Sequence, residues 1–213
     1  MRTDDLVTML ARGGAPADSH AVARRYAVGL SAGAGVALLL VTMVLGVRPD
    51  LASAMRLPMF WIKFGYVAAL AAASVMLALR LSRPGERVGW TPMALAAPVI
   101  AMWVLAFVAV ERGGGQEFAS QFFGRTWRSC PLLIAGLSIP LFVAMLWVMR
   151  GMAPTRLRAA GAVAGLVAGT GAALVYALHC PELGPPFLGF WYVLGMLVPT
   201  ATGALLGPRL LRW

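Results

Sequence analysis

The chain has 213 residues, of which 60% are hydrophobic and only 12% charged, and its mean hydropathy is +0.80. An ordinary soluble domain is about half apolar and about a quarter charged, so a soluble fold of this composition would turn large apolar areas to water, and the bilayer is the better solvent. The formal net charge of +10 arises from arginines set in short clusters between apolar runs, a pattern of membrane topology rather than of direct nucleic-acid binding.

Residues 1–25 read as a cytoplasmic N-terminal segment, ahead of a transmembrane domain over 26–213. Thr3 is placed to cap a short helix. Asp4 and Asp5 stand in its first turn, where the helix dipole favours acids, and Leu6, Met9 and Leu10 share one apolar face. Gly13-Gly14 ends this amphipathic stretch, and 15–19 reads as linker. A helix of about ten residues is marginal in water. It forms firmly only against a partner's groove or the protein's own loops, and is otherwise a solvated tail.

A membrane span needs about 20 apolar residues, and charges delimit six candidates: Arg25 to Arg48, Phe60 to Arg80, Arg87 to Glu111, Arg128 to Arg150, Arg158 to His179, and Glu182 to Arg209. The first run follows a polar stretch too long for a signal n-region and is itself longer than a typical h-region, so it reads as an uncleaved anchor. Lys63, near the start of the second, is expected to snorkel to the headgroups. Pro98, Pro140 and Pro199 fall inside spans, where neighbouring helices tolerate kinks. Gly161, Gly165 and Gly169 line one face of the fifth span for close helix packing, within one chain or between copies, leaving the oligomeric state open. No acid or arginine stands near the middle of any span, which argues against a pump or transporter.

Orientation follows from the basic residues. One side holds twelve of the 18 Lys and Arg residues, the other six, so the first side, with both termini, is expected in the cytoplasm. The fold class read from the sequence is therefore an all-α bundle of six transmembrane helices, both ends inside.

Cys130 and Cys180, fifty residues apart, then share the outer face, which in a bacterium is the oxidising periplasm. Pro131 suits the first helical position, making Cys130 the expected helix cap. The helix dipole and nearby Arg128 would there favour its thiolate. Cys180 stands at a helix C-terminus before Pro181, where the dipole opposes a thiolate, so Cys130 is expected to be the more reactive thiol. His179 and Glu182 flank the pair and offer further ligands for copper or zinc. The readings open at this point are a static disulfide, two unrelated thiols, a sensor, or a thiol-disulfide or metal-handling membrane protein.

These residues lie in motifs that carry a resemblance over essentially the whole chain. They are Thr3-Asp4-Asp5-Leu6, Arg48-Pro49-Asp50-Leu51, Phe60-Trp61-Ile62-Lys63, Trp127-Arg128-Ser129-Cys130, Ala153-Pro154-Thr155, His179-Cys180-Pro181-Glu182 and Leu210-Leu211-Arg212-Trp213. With them the chain resembles the negative regulator of sigma F family, inner-membrane anti-sigma factors of proteobacteria. The resemblance implies a non-enzymatic six-span protein, with no required cofactor, that holds an extracytoplasmic-function sigma factor inactive. It implies that Cys130 and Cys180 sense metal or oxidative stress, with a transient metal ion at most. It also makes the N-terminal Asp4, Asp5, Leu6, Met9 and Leu10 the expected sigma-binding element.

Overall fold

The computed structural model describes residues 5, 7, 8, 19–82, 88–113, 115–152 and 154–212, and every regular element among them is helical. In chain order these are α1 (Ser19–Leu40, continued by a π-helical turn, Val41–Leu45), α2 (Leu51–Ala54), α3 (Pro58–Leu81), α4 (Thr91–Gly113), α5 (Gly115–Phe123), α6 (Cys130–Arg150), α7 (Leu157–Tyr176) and α8 (Pro185–Leu210, with a π-helical turn at Leu188–Tyr192). Six of them, α1, α3, α4, α6, α7 and α8, are long and apolar enough to cross a membrane. Their side chains suit that solvent: Met93, Phe107, Leu132, Val143 and Leu205 are all exposed, and apolar surface on this scale is favourable in lipid rather than in water.

An even number of crossings brings Ser19 and Leu210 to one end of the bundle, the terminal end. The other, the cysteine end, gathers the end of α1, the start of α3, the start of α6 and the α7–α8 turn. Two buried clusters follow the same division. One holds Val41, Tyr66, Cys130, Tyr176, Cys180 and Tyr192, the other Tyr26, Leu77, Met145, Met149, Ala160 and Leu211.

Helix α7 is the most buried span and α4 the least. α7 packs on α8, α6 and α3, α1 rests on α6, and α4 leans on α3. The glycine face explains the α7–α8 pairing. A Cβ at Gly161 would collide with the Gly203 carbonyl, and one at Gly165 with the Pro199 carbonyl. Small residues at an interface of lipid-embedded helices let backbones approach, and here the stripe is spent inside the chain. Between α3 and α7 a hydroxyl pair, Ser74 Oγ and Thr170 Oγ1 at 3.0 Å, adds a buried polar tie.

At the terminal end, Tyr26 donates to Ser82 Oγ at 2.5 Å, while Ser82 donates to Ala78 O at 2.8 Å, and Met149 Sδ lies within reach of both hydroxyls. Arg25 stacks 4.3 Å from the Trp147 ring centroid and donates to Trp147 O at 2.9 Å.

Candidate functional site

The cysteine end is assembled from four separated stretches of chain. Helix α6 starts where Pro131 limits the backbone, with Ser129 rather than Cys130 as its cap and Cys130 as its first residue. The helix therefore begins one residue earlier than the sequence suggested. Helix α7 unwinds through a last turn in which Cys180 N still donates to Tyr176 O at 3.0 Å, and Pro181 lets it go no further. The two thiols meet, and both are free and fully buried. Tyr176 and Tyr192, their rings 6.0 Å apart, bring their hydroxyls to the pair.

Lys63 completes the cluster, and its position corrects the sequence reading. Instead of snorkelling outward it is fully buried, with Nζ donating to Cys180 O at 2.7 Å and to Glu182 O at 3.1 Å, 5.3 Å from the Tyr192 ring centroid. The physical reason is supply of acceptors. The unwound end of α7 and Pro181 leave carbonyls without intrahelical partners, and two of these accept the lysine's hydrogen bonds. A signal for this was present, since Lys63 is the single lysine of the chain and sits in an otherwise apolar run.

The Cys180 thiol is held below its ordinary range. The hydrogen bond from Cys130 is the main cause, and the Lys63 charge adds to it, together outweighing the burial that would raise it. The expectation of a more reactive Cys130 counted only the helix dipole. The dipole at the start of α6 acts on Cys130, but the lysine beside Cys180 brings a whole charge.

Around this core the other candidates are committed elsewhere. Arg48, its side chain 6% exposed, makes a two-pronged pair with Asp50 at 2.7 and 2.6 Å, and its backbone N–H donates to Leu178 O at 3.2 Å. His179 Nδ1 donates to Gly46 O at 2.7 Å. The Glu182 carboxylate accepts from Arg125 N at 2.7 Å and from Thr126 Oγ1 at 3.4 Å, against Gly124, whose φ of 53° places it in the left-handed region. The structure thus brings Cys130 and Cys180 together but does not turn His179 or Glu182 toward them. Among the described residues, no group of three or more His, Cys, Asp and Glu is placed to hold a metal ion.

Helix α5 covers the site from one side. Phe122 and Phe123 pack with Trp127 and Trp191, whose centroids are 5.2 Å apart, and Trp191 Nε1 donates to Phe122 O at 2.8 Å. The sequence reading had nothing to say of this stretch.

Of the expected N-terminal element, Asp5, together with Val7 and Thr8, is helical and exposed. Asp4, Leu6, Met9 and Leu10 lie outside the described residues.

Residues 10–213 match the family described as negative regulator of sigma F. Two relatives align over their entire length and the whole of this chain. A probable anti-sigma-F factor of Azospira oryzae is 54% identical over 213 residues, and an anti-sigma-F factor of Caulobacter vibrioides is 41% identical over 217. No solved structure matches the chain.

Proposed function

The chain belongs to the negative regulator of sigma F family, and from that premise we propose that it is a membrane-embedded anti-sigma factor. It binds its sigma factor, one of the extracytoplasmic-function class, at the terminal end and loosens that grip when the thiols at the cysteine end are modified. The terminal end faces the cytoplasm of a bacterial inner membrane and the cysteines face the periplasm, as the bias of twelve basic residues against six favours. The protein works as a binding regulator, with no chemistry of its own to perform on a substrate.

One observation carries this reading: two free thiols, fifty residues apart in sequence, meet in a buried cluster at the junction of α6, α7 and α8. These same helices run on to the terminal end. Oxidation of the pair, or ligation of a soft metal such as copper or zinc by its sulfurs, changes how the helix ends pack. A signal of this kind shifts the equilibrium only by its differential affinity for the two packings. Raising free sigma factor about tenfold takes about 1.4 kcal/mol of coupling, which is small beside what closing a disulfide can supply.

The N-terminal Asp4, Asp5, Leu6, Met9 and Leu10 form the sigma-binding element, an apolar stripe opened by two acids. The test is capture of the sigma factor by full-length protein in nanodiscs, wild type against a variant with Asp4, Asp5 and Leu6 all changed to Ala. A strong loss of capture is expected. Equal capture removes the N-terminal assignment, and no capture by either protein removes the anti-sigma reading.

A further inference from the structure

The buried lysine is a charged group at the cysteine end that the anti-sigma reading leaves without a purpose. Its two acceptors are the carbonyls of Cys180 and Glu182, which satisfy protons but carry no net charge. The groups around it are accounted for one by one. Arg48 is paired with Asp50, the Glu182 carboxylate is turned to Arg125 and Thr126, and His179 is bound to Gly46. Cys130, Cys180, Tyr176 and Tyr192 remain. No described carboxylate meets the ammonium, and an unpaired cation in so dry a place is strongly disfavoured. Of the remaining groups a thiol ionises most readily, and Cys180 is the residue to whose backbone the lysine is fastened.

We infer that Lys63 is the counter-ion of a Cys180 thiolate, a buried ion pair that joins α3 to the α7–α8 turn and makes Cys180 the reactive member of the cysteine pair. The place of Cys180 at a helix C-terminus agrees with this geometry, since the dipole there opposes a thiolate and a cation is required to hold one. The ion pair stands on its own, but its purpose rests on the sensing role proposed above.

That purpose follows from charge. With a peroxide as oxidant, the Cys180 sulfur displaces one oxygen as hydroxide, which takes up a proton from solvent and leaves as water. The Cys130 thiol then attacks the resulting sulfenic acid, and its proton departs with the hydroxyl as a second water. Two electrons pass from the sulfurs to the peroxide, one disulfide forms, and the negative charge beside Lys63 is gone. The resting arrangement of α3 against the α7–α8 turn then contains an unpaired ammonium and is disfavoured.

The test is the ultraviolet absorbance of thiolate against pH in full-length protein in nanodiscs, taken as wild type minus Cys180→Ser. The wild-type midpoint is expected below the ordinary thiol value of about 8.5. Lys63→Gln, which keeps a donor for the two carbonyls but no charge, should raise it by about one pH unit or more, a roughly tenfold loss of thiolate at a given pH. Lys63→Arg should bring it back. A wild-type midpoint at or above the ordinary value, or a profile that Lys63→Gln leaves in place, overturns the inference. Should Lys63→Gln fail to fold, the wild-type titration decides alone. No sigma factor is present in this experiment, so its failure and a failure of the anti-sigma reading are separate results.

Discussion

The carbonyl of Gly203 occupies the volume that a methyl group on Gly161 would need, so α7 and α8 touch backbone against backbone. Gly161→Leu therefore cannot be absorbed by a rotamer change on the facing helix. Overpacking a tight site costs about 1–3 kcal/mol or more, and a clear fall in Tm in nanodiscs is expected. Gly35→Ala is the control, because nothing lies within 4 Å of the added methyl. Its Tm should hold or rise slightly. Equal effects from both would mean that α7 and α8 are not in contact.

The Tyr26–Ser82 hydroxyl pair should behave as a unit. Tyr26→Phe removes the donor while Ser82 keeps its bond to Ala78 O, so the loss should be about 1 kcal/mol. Denaturant titration of Tyr26→Phe, Ser82→Ala and the double variant should give a coupling of about 0.5–1.5 kcal/mol. Strict additivity would show that the two hydroxyls do not meet.

Mild oxidation of wild type should give an intramolecular disulfide, read on a non-reducing gel, and release the sigma factor. Cys130→Ser and Cys180→Ser should each capture the sigma factor but fail to release it. His179→Ala and Glu182→Gln should respond as wild type does, because these side chains are engaged with Gly46, Arg125 and Thr126. Loss of release in His179→Ala would bring that ring into the sensing site.

The Arg48 hydrogen bond is the main cause that holds Asp50 below the usual carboxylate range. A carboxylate lowered in the folded state adds stability that is fully present above its unfolded pKa, about 4. That stability is lost as pH falls through the lower folded value. Tm should therefore fall on acidification below about pH 4. In Asp50→Asn this part of the fall should be missing and the neutral-pH Tm already reduced, since Arg48 has lost its partner. A variant with an unaltered acid limb would discount the pair.

The six spans were legible because lipid demands long uninterrupted apolar runs, and the charges between them mark their ends. That Cys130 and Cys180 share an end followed from counting crossings. The Gly161, Gly165 and Gly169 stripe announced a close neighbour without saying which helix it was. Lys63 was misjudged for a related reason. Its acceptors come from residues 180 and 182, and a local pattern cannot see carbonyls released by a helix end more than a hundred residues away. The same blindness weighted the sequence expectation toward Cys130, because the sequence displayed the dipole acting on Cys130 but hid the ammonium beside Cys180. Helix α5 escaped because its aromatic side chains find their partners on α8 only once the bundle is built.

Where Gly161 and Gly165 seat α7 on α8 main chain to main chain, no side chain intervenes to flex, so over these turns the two helices move as one. Twenty residues of α7 make a rod of about 30 Å, with the cysteine turn as its handle and Leu157 at the far tip. Such a rod carries a displacement at the handle toward the opposite face as a stiff lever would, rather than as a chain of springs.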